Sequence, residues 1–389
     1  MSILILGAGI FGLGAAIELH RRGHTVTVLD PGPVPHPLAA STDISKVVRL
    51  EYGPDLDYTV IAERSLEGWR RWNRDLGTTV FHETGVLFLR QSPITPGTFE
   101  GDSLSLLQSR NHAVNLLNSD AIQSRFPVWN TDTYPNAIHN PQGGWVESGR
   151  TVALLANRAL RSGIQIIELS SFSHLLTQGS RATGIETDSG IRYLADLIIA
   201  ATGAFTPVLF PFTASWFRAT AHPVFHLRPD DPLPFTAPRF PVFGADISTT
   251  GWYGFPFHPA AGVVKIANHG IGASFDPANP DRAVSQDQIN SLRQFISQSL
   301  PTLQTAELVS SRLCCYCDTW DGHFWIDRDP ERENLLFATG GSGHAFKFAP
   351  VLGTLVADAA EAVPNPMLHK FRHRPESKPP RTEESARRQ

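Results

Sequence analysis

The first thirty residues constrain the fold most. "ILIL" is a short, continuous apolar run, as expected of a strand buried on both faces. It leads into Gly7-Ala8-Gly9-Ile10-Phe11-Gly12 and then "LGAAIELHRRG", a helical pattern closed by Gly23. "TVTVLD" follows, a β-branched strand ending in Asp30. This order is a βαβ unit with GxGxxG at its first turn and an acid at the end of its second strand. Glycines there permit a tight turn and close approach of the backbone to a pyrophosphate. The helix N-terminus favours that negative charge, and Asp30 can accept from ribose hydroxyls. A dinucleotide-binding unit is therefore expected, with Gly7, Gly9, Ile10, Phe11, Gly12 and Asp30 against the ligand.

The rest of the chain fits around that unit. At 389 residues it is too long for one simple core, so two domains are expected. "GGWVESGRTVALLANRALRSGIQIIEL" reads as turn, helix and strand. "RATGIETDSGIRYLADLIIAATGAF" reads as a hairpin and a buried strand ending at Ala201-Thr202-Gly203, a small-residue turn suited to a bound dinucleotide. Between about 211 and 309 alternating strands separated by Gly/Pro turns suggest an antiparallel sheet. "NLLFATGG" and "SGHAFKFAPVLGTLVADAAEAV" then return to buried strand, glycine turn and helix. The expected class is α/β plus antiparallel β: a Rossmann-type domain in pieces (1–80, 145–210, 310–365) with an inserted mixed-sheet substrate domain (81–144, 211–309). The polar stretch 366–389 is expected to be a disordered tail.

Composition excludes several partners. The formal charge is −4, so no basic surplus argues for nucleic acid or an anionic membrane. No apolar run reaches the ~20 residues of a membrane span. The apolar N-terminus lacks a preceding basic region and reads as a strand, not a signal peptide. Three clustered cysteines cannot form a secreted disulfide framework, so a reducing, cytoplasmic setting is expected. The chain ends "ARRQ", not with the peroxisomal Ser-Lys-Leu.

Those cysteines lie in "RLCCYCDTWDGHF", at 314, 315 and 317. The spacing C-C-x-C, with no other cysteine and His323 the nearest histidine, does not suit a four-ligand metal knuckle. Adjacent strand residues point to opposite faces, so three sulfurs do not converge easily. No metal is expected. A redox pair would need CxxC before a helix. Small buried residues, or a thiol bonded to a cofactor, remain open.

Several segments together resemble the flavin amine oxidase family of monomeric sarcosine oxidase, pipecolate oxidase and fructosyl amino acid oxidase. They are GAGIFG, "DISKVVRLEYG", "ETGVLFL", "YGFPFHPAAGVVKIANH", "CCYCDTWDGHFWID" and "ATGGSGHAFKF", and they span Gly7 to about residue 363. The resemblance implies FAD held by a thioether from a cysteine ten residues before the phenylalanine of the "HF-hydrophobic-ID" run. That phenylalanine is Phe324, which selects Cys314. It implies that Tyr316 and Tyr253 border the substrate, and that Arg49 and Lys347 grip its carboxylate, a task suited to arginine's planar fork. Lys265 matches a lysine that promotes reaction of reduced flavin with oxygen, and a fixed cation there would stabilise developing negative charge. His269 matches an active-site histidine and shares a face with Lys265 if the segment is extended.

Ser45 and Lys46 match positions near the isoalloxazine ring, and Ser41 lies in the same loop. "DISK" looks closer to the fructosyl amino acid and saccharopine oxidase branch. The loop Gly340 to Lys347, including Gly341, Gly343 and His344, faces the flavin N1/O2 edge in this family, where exposed N–H groups favour the negative charge of reduced flavin. The implied activity is oxidation, by O2, of a secondary or tertiary amine bearing a carboxylate, with hydrogen peroxide as by-product and the enzyme a monomer. A dehydrogenase using another acceptor, or a biosynthetic enzyme that traps the iminium intramolecularly, are the alternatives.

Overall fold

A computed structural model describes residues 1–374. The dinucleotide unit forms as its pattern predicts: strand Ser2–Leu6, helix Ile10–Arg21, strand Thr25–Leu29. These strands lie at the centre of a six-stranded sheet in the order 325–328, 335–339, 197–200, 2–6, 25–29, 165–167. All neighbours are parallel except the antiparallel edge strand Trp325–Arg328. The central strands are buried on both faces: helices pack against one, and a three-stranded sheet of Phe172–Gln178, Arg181–Thr187 and Arg192–Leu194 packs against the other. Helix Ser148–Arg161 buries Ser148, Thr151, Val152, Leu155, Ala156 and Ala159, one stripe at helical spacing.

The second layer is a nine-stranded sheet. Strand Phe217–Arg228 pairs with Val263–Asn268, with Ala273–Ser274 and with Glu307–Thr319. Beyond them lie Trp252–His258, Val242–Ala245, Val86–Arg90, Asn136–Asn140 and Asn115–Asn118. Only the pairing of Val242–Ala245 with Val86–Arg90 is parallel. Helix Gln286–Ser299 packs under this sheet and starts at a capping box of Ser285 and Gln288. A small sheet of Lys46–Val48, Gly144–Val146 and Phe81–His82 bridges the two layers.

Two sequence expectations change. The strand Glu307–Thr319 crosses residue 310, so the expected start of the last cofactor-binding segment falls inside the large sheet. The first part of the expected disordered tail is ordered. Pro366–Phe371 forms a short 3-10 helix, Phe371 is fully buried, and the guanidinium of Arg374 pairs with Asp321. Leu368 is buried with Phe371, and Lys370 pairs with Asp55 (2.6 Å), so apolar burial and ion pairs together hold the segment. Residues 375–389 lie outside the described residues.

Candidate active site

The first turn of the βαβ unit is held open by backbone chemistry. Gly7 has φ +102°, and a Cβ there would lie 2.6 Å from the Ala201 carbonyl oxygen. Asp30 is buried and accepts N–H bonds from Ala8 (2.8 Å) and Gly32 (3.0 Å). Burial pushes its carboxyl up, and those two donors oppose the shift. Each carboxylate oxygen retains a second acceptor site. Ser41 Oγ accepts from the Ile10 N–H at the start of the helix (3.1 Å). A cavity of about 420 Å³ runs past Gly7, Gly9, Asp30, Ser41, Ala201 and Gly203 to Lys46, Gly341 and Gly343. A backbone cradle that admits no side chain, beside a buried acid and at the carboxyl ends of parallel strands, fits FAD.

A second cavity adjoins the first, and Lys46, Gly343 and Phe346 line both. Arg49 and Lys347 meet in it around Tyr52. The Arg49 guanidinium lies 4.7 Å from the Tyr52 ring centroid and 5.7 Å from each of Phe88 and Phe99. Lys347 Nζ donates to Tyr52 Oη at 2.8 Å, and His344 Nδ1 is 3.1 Å from the same hydroxyl. Trp69 Nε1 fixes the Lys347 backbone by donating to its carbonyl (2.7 Å). All three basic side chains are buried. Such a cluster is suited to an anionic group, bidentate at the arginine.

Lys265 is also buried, but it does not line that cavity. Its Nζ donates to Asp43 Oδ2 (2.7 Å) and to the Ser45 carbonyl (2.6 Å), 4.7 Å from the Phe255 ring centroid. Burial lowers its pKa to about 8, with Asp43 working against the fall. Burial would raise the Asp43 carboxyl, yet Lys265, His226 and Arg312 hold it well below the usual range. The Asp43 backbone carbonyl accepts from Gly149 N–H (2.9 Å) and Ser148 Oγ (2.8 Å), which ties the loop to a helix start.

Sheet register sorts the remaining residues. Directly paired residues share a face. Phe88 pairs with Gly244, Gly244 with Tyr253, Tyr253 with Ala267, and Phe255 with Lys265. On the other side Lys265 pairs with His226, His222 with Cys314, and Thr220 with Tyr316. One face of the large sheet thus carries Tyr253, Lys265, Cys314 and Tyr316. Cys314 packs with Val224, Ala267 and Tyr316. Cys315 and Cys317 alternate to the other face and border the larger cavity. Burial raises both of those thiols, Cys317 to about 11, and the Arg282 guanidinium touches Cys315 Sγ and opposes its rise. The His222 ring stacks on Tyr316 at 4.1 Å, and the His269 ring lies 5.8 Å from Tyr316 and 6.3 Å from Tyr253. His269 therefore lines the smaller cavity while Lys265 sits beneath its wall, although both were expected to share one cavity.

Sequence reasoning missed Tyr52, Asp43 and His222. The first two lie inside "DISKVVRLEYG", the segment that supplied Arg49 and Lys46. A buried cation needs a partner, but Lys265 lies 222 positions from Asp43, so no local signal named the acid. Among the described residues no group of three or more His, Cys, Asp or Glu side chains could hold a metal ion, and no helix is long and apolar enough to cross a membrane.

Known proteins resemble the chain over nearly its whole length. L-saccharopine oxidase of Schizosaccharomyces pombe is 28% identical, over 92% of this chain and 89% of that protein. Monomeric sarcosine oxidase of a Bacillus species is 27% identical, over 92% of this chain and 91% of its own. A fructosyl peptide oxidase crystal structure superposes with a TM-score of 0.85 at 22% identity, covering 99% of this chain and 96% of that one. The family model for DAO, FAD dependent oxidoreductase, matches residues 2–359. With a cradle that fits the cofactor and this match along the chain, the protein belongs to the DAO family of FAD-dependent oxidoreductases.

Proposed function

We propose that the chain is an FAD-dependent oxidase of N-substituted amino acids, meaning secondary or tertiary amines that carry a carboxylate. One observation carries this reading: Arg49 and Lys347 converge on Tyr52 in a buried cavity that shares a wall with the cofactor cavity. In this reading the six-stranded layer is the cofactor domain and the nine-stranded sheet the substrate domain. FAD supplies the two-electron acceptor. Arg49 and Lys347 hold the carboxylate and so fix the distance from the amine to the cofactor. The basic lining favours the neutral amine, which alone has the lone pair needed for hydride loss. Tyr253, His269 and Tyr316 border the reacting carbon. Oxidation leaves an imine, which water splits to a carbonyl compound and the smaller amine. Lys265 provides a fixed positive charge where oxygen is reduced to hydrogen peroxide.

We further propose a thioether between FAD and Cys314. Its support is the shared sheet face with Lys265 and Tyr253. Cys315, on the wall of the larger cavity, is the second reading. Acid-denatured protein should stay yellow, and mass spectrometry of the flavin peptide in Cys314→Ser and Cys315→Ser variants decides which sulfur carries it. The names of the sarcosine oxidase relatives support a monomer, and buried thiols suit a reducing cytoplasm. The activity is tested by incubating FAD-loaded protein with a panel of N-substituted amino acids. Equimolar peroxide is expected. Turnover with a dye but without peroxide would instead establish a dehydrogenase.

A further inference from the structure

The cavity beside Arg49 and Lys347 concentrates its charge around one residue and is otherwise lined mostly by hydrocarbon. Its polar side chains are Lys46, Arg49, Lys347, His269, His344 and the Tyr253 hydroxyl. Arg49, Lys347 and His344 gather around the single residue Tyr52. The remaining wall is hydrocarbon: Val86, Phe88, Val242, Ile247, Phe255 and Phe346. None of the lining residues is an acid, an amide, a serine or a threonine.

This wall is built into the sheet. Gly244 lies opposite Phe88 in the parallel register, and a Cβ at 244 would meet the Phe88 ring at 2.8 Å. The glycine lets that ring lie down on the sheet. Phe99 then braces it edge-on, with centroids 5.4 Å apart at 71°. Phe255 is braced in the same way by Tyr253, at 5.8 Å and 72°. Rings held from two sides do not turn aside for a polar guest.

We infer that the substrate group remote from the carboxylate is apolar, an alkyl chain or aromatic ring with neither a polyol nor a second charged head. This rests on the proposed oxidation of carboxylate-bearing amines and adds what fills the other end. A sugar chain would leave hydroxyls buried against hydrocarbon, each costing about tenfold or more in binding. A second ammonium would face five basic side chains and no acid.

The test uses FAD-loaded protein without oxygen. Bleaching of the flavin is followed with N-methyl-L-phenylalanine, L-pipecolate, fructosyl-L-valine and L-saccharopine. The second-order rate constant of flavin reduction for the first two is expected to exceed that for the last two at least tenfold. In parallel, unreactive 3-phenylpropionate should perturb the flavin spectrum at a concentration at least tenfold below gluconate. Equal or reversed preference in both measurements overturns this inference and leaves amine oxidation standing. Failure of every amine to bleach the flavin overturns the proposed function, and this inference with it.

Discussion

Asp43 and Lys265 form a sealed ion pair, Oδ2 to Nζ 2.7 Å, with side chains 1% and 2% exposed. A lone buried ammonium would shed its proton, so the carboxylate keeps Lys265 charged where burial works to neutralise it. The proton on Lys265 is held below about pH 8 and lost above it. Reoxidation of the reduced enzyme by oxygen should therefore slow as pH rises through about 8. Asp43→Asn removes the opposing charge, so the midpoint should move to lower pH. Losing one partner of such a pair should also cost about 3 kcal/mol of stability. Stopped-flow reoxidation across pH 6–10 reads the first effect and thermal unfolding the second. An unmoved midpoint in the variant would sink the pairing role.

Arg49 and Lys347 should differ in how they fail. Arg49→Lys keeps the charge and loses the planar fork, so KM should rise about tenfold with kcat less affected. Arg49→Ala should lower kcat/KM by about 100-fold, because a charge-assisted bond and the substrate's alignment go together. Tyr52→Phe removes the hydroxyl that Lys347 Nζ donates to, without touching the arginine. A rise in KM of a few fold is expected there. Steady-state kinetics on one substrate separates the three, and equal losses in Arg49→Lys and Arg49→Ala would count against bidentate recognition.

Gly343 and Gly190 offer a matched comparison. Both have left-handed backbone, φ +76° and +78°. A Cβ at 343 would sit 2.4 Å from the Tyr316 ring and 2.7 Å from His269, whereas at 190 nothing lies within 4 Å. Gly190→Ala should cost about 1 kcal/mol from backbone strain and leave activity intact. Gly343→Ala adds displacement of Tyr316 and His269, so kcat should fall at least tenfold beyond any stability loss. Comparable activity in the two variants would show that this loop gives way more easily than its contacts imply.

What the sequence revealed follows from the range of each interaction. The βαβ unit was legible because apolar period, glycine spacing and Asp30 all act within thirty residues. Alternation alone established that Cys314, Cys315 and Cys317 could not share a face. Choosing which thiol joins Lys265 needed the register of two strand pairs, Lys265 with His226 and His222 with Cys314. The Asp43–Lys265 pair was illegible because its members are 222 positions apart and only the folded sheet brings them together. The ordered stretch to Arg374 was missed because a polar, proline-containing sequence gave no weight to Phe371.

His139 supplies a test of stability that is separate from catalysis. Its ring lies against Phe126, and Nδ1 is 2.9 Å from an Arg125 nitrogen that can only donate. Burial first, and Arg125 second, lower its pKa from 6.5 to about 4. The unfolded chain therefore takes up a proton that the folded chain refuses between those values. Stability tied to His139 is complete above pH 6.5 and is lost as pH falls towards 4, by about 2 kcal/mol after allowance for partial solvent access. His139→Gln can still accept from Arg125 but does not titrate. Melting temperatures of the two proteins at pH 7 and pH 4.5 should show a fall a few degrees smaller in the variant. Identical falls would mean that His139 charges in the folded state as readily as in the unfolded one, with Arg125 swinging away to let it do so.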